Sequence, residues 1–160
     1  MWRKEKGWIL SIDQASIKAG VSLWKDGELI AFTDLNGGGK KVPMSKRLHK
    51  QRVELDTFLE QHCKGTVSTV LFEDVKGKFV QMICGAYLTA GKICCKIGKD
   101  HLVHTRTWKS WAQRQGALGP VRDIKGVRAL REIGWDFSRW AVESDDVADS
   151  LMIYMAWRCR

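Results

Sequence analysis

The sequence predicts an α/β fold built on one mixed five-stranded sheet, three antiparallel strands followed by parallel ones, flanked by helices. Three observations predict it. The chain opens with short apolar runs joined by an Asp-Gly turn, a β-branched run follows the first helical pattern, and strand-like and helical segments alternate through the rest. One hundred and sixty residues, at roughly 150 per domain, give a single domain spanning 1–160.

Gly7 to Ile12 is a largely apolar run of strand length that ends at Asp13. After the turn-prone stretch Gln14 to Gly20, Val21-Ser22-Leu23-Trp24 alternates with period two. Lys25-Asp26-Gly27-Glu28 places Asp-Gly between apolar runs, the strongest short-range hairpin cue, and leads into Leu29 to Thr33. Asn36-Gly37-Gly38-Gly39-Lys40-Lys41 predicts a mobile loop, its spacing wrong for a phosphate-binding Walker loop. From Pro43 to Gly65, Leu48, Leu55, Phe58 and Leu59 separate at helical spacing from Lys46, Arg47, Lys50 and Arg52. That first helix is amphipathic and basic on one flank. Val67 to Phe72 is β-branched enough for a buried central strand and stops at Glu73.

Phe79 to Cys95 predicts a second helix, its Gly85, Ala86, Ala90 and Gly91 allowing close packing. A short strand His101 to His104 follows. Two more helices are expected at Thr107 to Gln115 and Val121 to Ile133, separated by Gly116-Ala117-Leu118-Gly119-Pro120. The last helix runs from Asp145 to about Arg158 behind Ser144, an N-cap residue.

Composition excludes several classes. With 44% hydrophobic and 28% charged residues and only two prolines, the chain is neither disordered nor fibrous. Its longest weakly polar stretch, Phe79 to Gly91, is well short of the roughly 20 residues of a membrane-spanning helix. The N-terminus carries Arg3, Lys4, Glu5 and Lys6 in place of a secretory apolar region. Five cysteines without a Cys-x-x-Cys pair favour reduced thiols in an intracellular compartment over a structural zinc site. Twenty-seven basic against 18 acidic side chains, a formal +9, spread positive potential over a small surface and point to a polyanionic partner.

The acids occupy a different pattern from the bases. Asp13 and Glu73 each close an apolar strand, while Asp145, Asp146 and Asp149 lie at the start of the final helix, where Asp149 shares a face with both of the others. Negative charge in a first helical turn also complements the helix dipole, which by itself would explain Asp145 and Asp146. The conjunction of strand-ending acids with an Asp-x-x-Asp helix is what a hard-cation site needs. Carboxylates from several elements suit Mg²⁺ or Mn²⁺, and two such ions about 4 Å apart can assist hydrolysis of a phosphodiester. His101 and His104 would face opposite sides of a strand and so share no metal. Of the eight tryptophans, Trp8, Trp135 and Trp157 fit core or interface packing, whereas Trp108 and Trp111, beside Lys109 and Arg114, are candidate nucleic-acid contacts.

Ile12-Asp13-Gln14-Ala15-Ser16-Ile17-Lys18-Ala19-Gly20-Val21, Val70-Leu71-Phe72-Glu73 and Asp146-Val147-Ala148-Asp149-Ser150-Leu151 stand in the order and element context of a known family. The chain resembles, over nearly its whole length, the RuvC-type Holliday junction resolvases of the RNase H-like superfamily. The resemblance implies an RNase H-like fold. It implies Asp13, Glu73, Asp146 and Asp149 as catalytic metal ligands for Mg²⁺, with Mn²⁺ as a substitute and Asp145 as an alternative to Asp146. Lys109 and Lys125 look like the family's phosphate contacts, joined as candidate DNA-binding residues by Lys76, Lys78 and Trp108. The family's aromatic after the Glu has its counterpart here only in the later Phe79.

The implied activity is metal-dependent endonucleolytic cleavage of branched DNA by paired symmetric cuts at four-way junctions, in recombination and repair. It implies a homodimer, since two cuts are related by a two-fold axis. The setting would be cytoplasmic, bacterial or a host cell if virus-encoded. Two other readings stay open: a nuclease of the same fold acting on RNA–DNA hybrid or structured RNA, and a non-catalytic nucleic-acid-binding module.

Overall fold

The computed structural model describes residues 7–74, 80–95 and 102–159. Strands β1 (Trp8–Asp13), β2 (Lys18–Lys25) and β3 (Glu28–Asn36) form an antiparallel meander. Its tight turn needs positive φ at two successive residues, and Asp26 (50°) with Gly27 (86°) supplies them. Strand β4 (Val67–Asp74) runs parallel to β1, and β5 (Leu102–His104) parallel to β4. The order β3-β2-β1-β4-β5 is the predicted mixed sheet, with β1 at its centre. Both β2 and β3 outrun their predicted limits because Lys18 pairs with Asn36, so the ladder continues past the apolar residues.

Period-two alternation divides the strands between two cores. Leu10 and Ile12 of β1, with Val70 and Phe72 of β4, pack against α1 (Met44–His62) and α2 (Val80–Tyr87). Ile9 and Leu71 point the other way, into a cluster with α3 (Thr105–Arg114), α4 (Gly126–Glu132) and α5 (Asp145–Arg158). Ser11, Asp13 and Glu73 share that second face. At the seam between β1 and α5 the buried Ser11 Oγ donates to the carbonyl of Ser150 at 2.7 Å, a small polar contact that lets helix and strand approach closely. Trp24 of β2 stacks on Tyr154 of α5 with centroids 3.8 Å apart.

Four expectations give way. The second helix ends at Tyr87, not Cys95. Thr89 and Ala90 donate to carbonyls three residues back, and Ile93 then bridges to Val67 in parallel, burying its side chain against the start of β4. Backbone pairing there replaces two further helical turns. The expected helix 121–133 is broken into a 3-10 turn, Val121–Asp123, and α4. Trp108 and Trp111 are 1% and 8% exposed, filling the α3–α5 core, so neither ring offers a face to a base. The glycine loop is tied down: Gly37 N–H donates to the Ile17 carbonyl (2.8 Å) and Val42 N–H to that of Gly39 (3.0 Å).

Beneath the chain leaving β1 lies a buried polar knot. Gln51, fully buried on α1, donates from Nε2 to the Ala15 carbonyl at 2.8 Å and more weakly to that of Leu35. The Tyr87 hydroxyl donates to Gln51 Oε1 at 2.7 Å, with the Ala15 carbonyl 2.9 Å from the same hydroxyl oxygen. An apolar side chain at position 51 removes the amide that ties the Ala15 and Leu35 carbonyls to the Tyr87 hydroxyl. Gln51→Leu is therefore expected to cost about 2–4 kcal/mol in urea unfolding, against roughly 0.5 kcal/mol or less for the exposed Thr57→Ala on the same helix.

Candidate functional site

Asp13 ends β1 at the middle of the sheet, opposite Gly20 of β2. One strand away, Glu73 lies near the end of the parallel β4. The two ends are locked by the Gln14 side-chain amide, which accepts from Glu73 N–H (3.1 Å) and donates to its carbonyl (2.6 Å), continuing the ladder past the last backbone pair. Thr105, the first residue of α3, donates its hydroxyl to Glu73 Oε1 at 2.5 Å.

Helix α5 brings Asp146 and Asp149 over these strand ends. Ser144 caps it as expected, its Oγ accepting from Val147 N–H at 3.2 Å and donating to Asp34 Oδ1 at 2.5 Å. The first turn sits directly on β2 at Gly20, where a Cβ would fall 2.1 Å from the backbone carbonyl of Asp146. That contact gives the glycine seven residues after Asp13 its physical reason. Lys18 Nζ stands 3.7 Å from Asp34 and 3.9 Å from Asp146.

Helix α4 explains its own break here. Gly126 has φ +72°, and its N–H donates to Asp149 Oδ1 at 2.7 Å. A Cβ at that position would strike the Asp145 carboxylate. Asp145 in turn accepts from Val127 N–H at 2.9 Å. Asp145 is therefore exposed and occupied in capping α4, while Asp146 shares a hydrogen bond with Asp13. Of the two adjacent acids, Asp146 is the one turned to the cluster.

Burial and like charge act together on these groups. Burial first, then the charges of Asp149, Glu73 and Asp146, push the Asp13 carboxyl from its ordinary 3.8 up to about 9. Asp149 rises to about 7, mainly through burial and also through Glu73 and Asp146, against the lowering pull of Gly126 N–H and Lys109. Burial raises Asp146 too, with Lys18 opposing. At neutral pH protons must therefore neutralise part of the cluster. A divalent cation would do the same, and an all-carboxylate donor set suits Mg²⁺ or Mn²⁺. The acids lie near enough to raise one another's pKa values, yet among the described residues no three His, Cys, Asp or Glu stand as a ready-formed metal cage.

Around the cluster, Lys109 lies close enough to lower Asp149, while its ammonium donates to the Arg122 carbonyl at 3.1 Å. Lys125 is exposed and precedes Gly126, so its backbone adjoins the site. Trp108, a predicted DNA contact, is withdrawn by its burial. Lys76, Lys78, Phe79 and His101 lie outside the described residues. Sequence reasoning passed over Gln14, Lys18, Asp34, Thr105 and Gly126. Only Gly126 carried a local cue, as a glycine inside a helical pattern.

No family model and no curated protein matches the chain. Its fold does match solved structures. Thermus thermophilus RuvC in complex with a Holliday junction substrate aligns with TM-score 0.59 at 12% identity, covering 93% of this chain and 90% of that one. A second Thermus thermophilus RuvC structure aligns with TM-score 0.59 at 13% identity, over 94% and 92%. The five-stranded, helix-flanked sheet is thus the RNase H-like fold of RuvC.

The folded protein holds protons on Asp13 and Asp149 that the unfolded chain releases near pH 4. Its metal-free stability should therefore fall as pH rises from about 4 toward 9, over the windows set by the two raised values. Thermal unfolding in EDTA from pH 5 to 9 measures this. Added Mg²⁺ should raise the midpoint more at the alkaline end, and Asp13→Asn should flatten both trends; a pH-independent midpoint in the unmodified chain would contradict the buried-carboxylate account.

Proposed function

We propose that the chain is a divalent-metal-dependent endonuclease that cuts branched DNA at four-way junctions, as one nuclease domain spanning residues 1–160. What supports this is that Asp13, Glu73, Asp146 and Asp149, from three separate elements, stand near enough to bear on one another electrostatically inside a chain of net charge +9. Such a cluster repels nucleic acid unless it holds cations, while the basic remainder attracts it. The RuvC fold, seen in the neighbour bound to a Holliday junction, supports branched DNA as the substrate.

Asp13, Glu73, Asp146 and Asp149 would hold Mg²⁺ or Mn²⁺. The chemistry these ions supply when bound is Lewis-acid stabilisation of charge on the phosphodiester and a lowered pKa for the attacking water. The chain's own contribution is orientation. Thr105 donates to one oxygen of Glu73 and Gly126 N–H to one oxygen of Asp149, which restrains both carboxylates. Lys18 holds Asp146, and Gln14 fixes the two strand ends in register. Lys109 and Lys125 would meet the phosphates of the bound strand, with Lys76 and Lys78 as further contacts. Two cuts in a symmetric junction call for two copies related by a two-fold axis, hence a homodimer. No helix among the described residues is long and apolar enough to cross a membrane, and we infer an intracellular, cytoplasmic setting from the DNA substrate and the free cysteines.

Incubation of a synthetic four-way junction with Mg²⁺, beside linear duplex and RNA–DNA hybrid controls, tests the reading. Paired nicks confined to the junction are expected. Asp13→Asn, Glu73→Gln and Asp149→Asn should each slow nicking by about 100-fold or more with binding retained, and Asp146→Asn should cost far more than Asp145→Asn. Preferred cutting of the hybrid would reassign the substrate. Binding without cleavage in Mg²⁺ or Mn²⁺ would leave a nucleic-acid-binding module.

A further inference from the structure

We propose that the cleft between α3 and the 3-10 turn at 121–123 is a nucleotide subsite, built to take one unstacked nucleotide of the bound strand, base and phosphate together. The proposal rests on the nuclease reading for where that strand lies. The cleft has a volume of about 730 Å³, within the roughly 300–1,000 Å³ typical of small-molecule sites.

Its walls differ in chemistry. One wall is shared with the acid cluster: Thr105 donates to Glu73 Oε1, and Lys109 is the cation that bears on Asp149. A strand whose scissile phosphate meets the acids therefore places a neighbouring nucleotide in the cleft. Pro120 and Val121, from the 3-10 turn, bring apolar residues to the lining. Cations flank them. Arg106 is exposed with no carboxylate in salt-bridge reach among the described residues, and Arg122, also exposed, meets only Asp123 at 3.9 Å. Lys109 is held in place by the Arg122 carbonyl and lies 5.5 Å from the centre of the Trp108 ring.

His104 completes the rim. Its Nδ1 accepts from Arg106 N–H at 3.2 Å, so the neutral ring carries its proton on Nε2, a donor available to a base edge. A phosphate alone would need neither this volume nor the apolar lining residues. A base still stacked and paired in duplex could not enter. A flat heteroaromatic ring on an apolar surface, with its phosphate among arginines, satisfies every lining group at once.

The test uses the full chain carrying Asp13→Asn, so that the strand stays intact, and four-way junctions with an abasic site or 2-aminopurine at each nucleotide around the branch point in turn. One position is expected where the abasic site raises Kd about tenfold and 2-aminopurine brightens on binding. Adding Arg106→Ala and Arg122→Ala should raise Kd for the intact junction by a similar factor, abolish the brightening and remove the further penalty of the abasic site. Val121→Trp, which adds bulk to the cleft lining, should also quench the brightening; if that variant fails to fold, the exposed arginine pair carries the test. Equal weakening of intact and abasic junctions by the arginine variants, or no sensitive position at all, overturns the subsite. Cleavage is scored separately with the unmodified chain. Cutting with a flat abasic profile rejects the cleft alone, whereas a sensitive position without cutting rejects the nuclease reading alone.

Discussion

A carboxylate placed at the centre of a sheet, beneath a helix and among three other acids, is the constraint on which much of this structure depends. Asp13 is half-enclosed where an apolar residue would pack more cheaply, and its neighbours raise rather than relieve the cost of ionising it. Tolerating it requires compensation close by. Gly126 N–H on Asp149, Thr105 on Glu73 and Lys18 on Asp146 each steady one of the surrounding acids. None of these three touches Asp13 itself, so the central group is left as the one most in need of a counter-charge.

The same constraint dictates the packing. For Asp146 to reach Asp13, the first turn of α5 must lie on β2 with almost no separation, which is possible only over the missing side chain of Gly20. Further along the interface, Ser11 and Ser150 keep the approach close, and the stacked Trp24 and Tyr154 fill the space where the elements diverge. On the opposite face of the sheet, Gln51 and Tyr87 hold the Ala15 carbonyl and so fix the direction in which the chain leaves Asp13. The acid cluster is thus clamped from both layers, and its geometry is set by contacts between residues far apart in the chain.

That distribution explains what could be read from the sequence. The strand ending at Asp13, the central strand carrying Glu73 and the capped helix with Asp146 and Asp149 all announce themselves within windows of six to ten residues, through apolar runs and the Ser144 cap. The break before α4 does not, because its cause is a hydrogen bond from Gly126 to a carboxylate 23 residues later. The early end of α2 is set by pairing of Ile93 with Val67, again across the fold. Trp108 carries a basic neighbour that suggested a surface role, yet the periodicity of α3 turns its ring inward with Trp111 and Ala112 while Lys109 stays at the edge. Local pattern located the acids; only tertiary contact reveals what orients them.

A sheet of this order can be assembled from very different residues, since most of its core positions ask only for apolar bulk of about the right size. The positions with no such latitude are few: an acid at the end of the central strand, another on its parallel neighbour, a glycine under the helix that crosses them, and the helix's own acids one turn apart. Volume-conserving exchange of one apolar core residue for another is well tolerated. Adding a single methyl group at Gly20 moves the helix that carries half of the cluster. A chain can therefore keep this sheet order through extensive divergence of its core, whereas the acid cluster stays assembled only while these few positions persist.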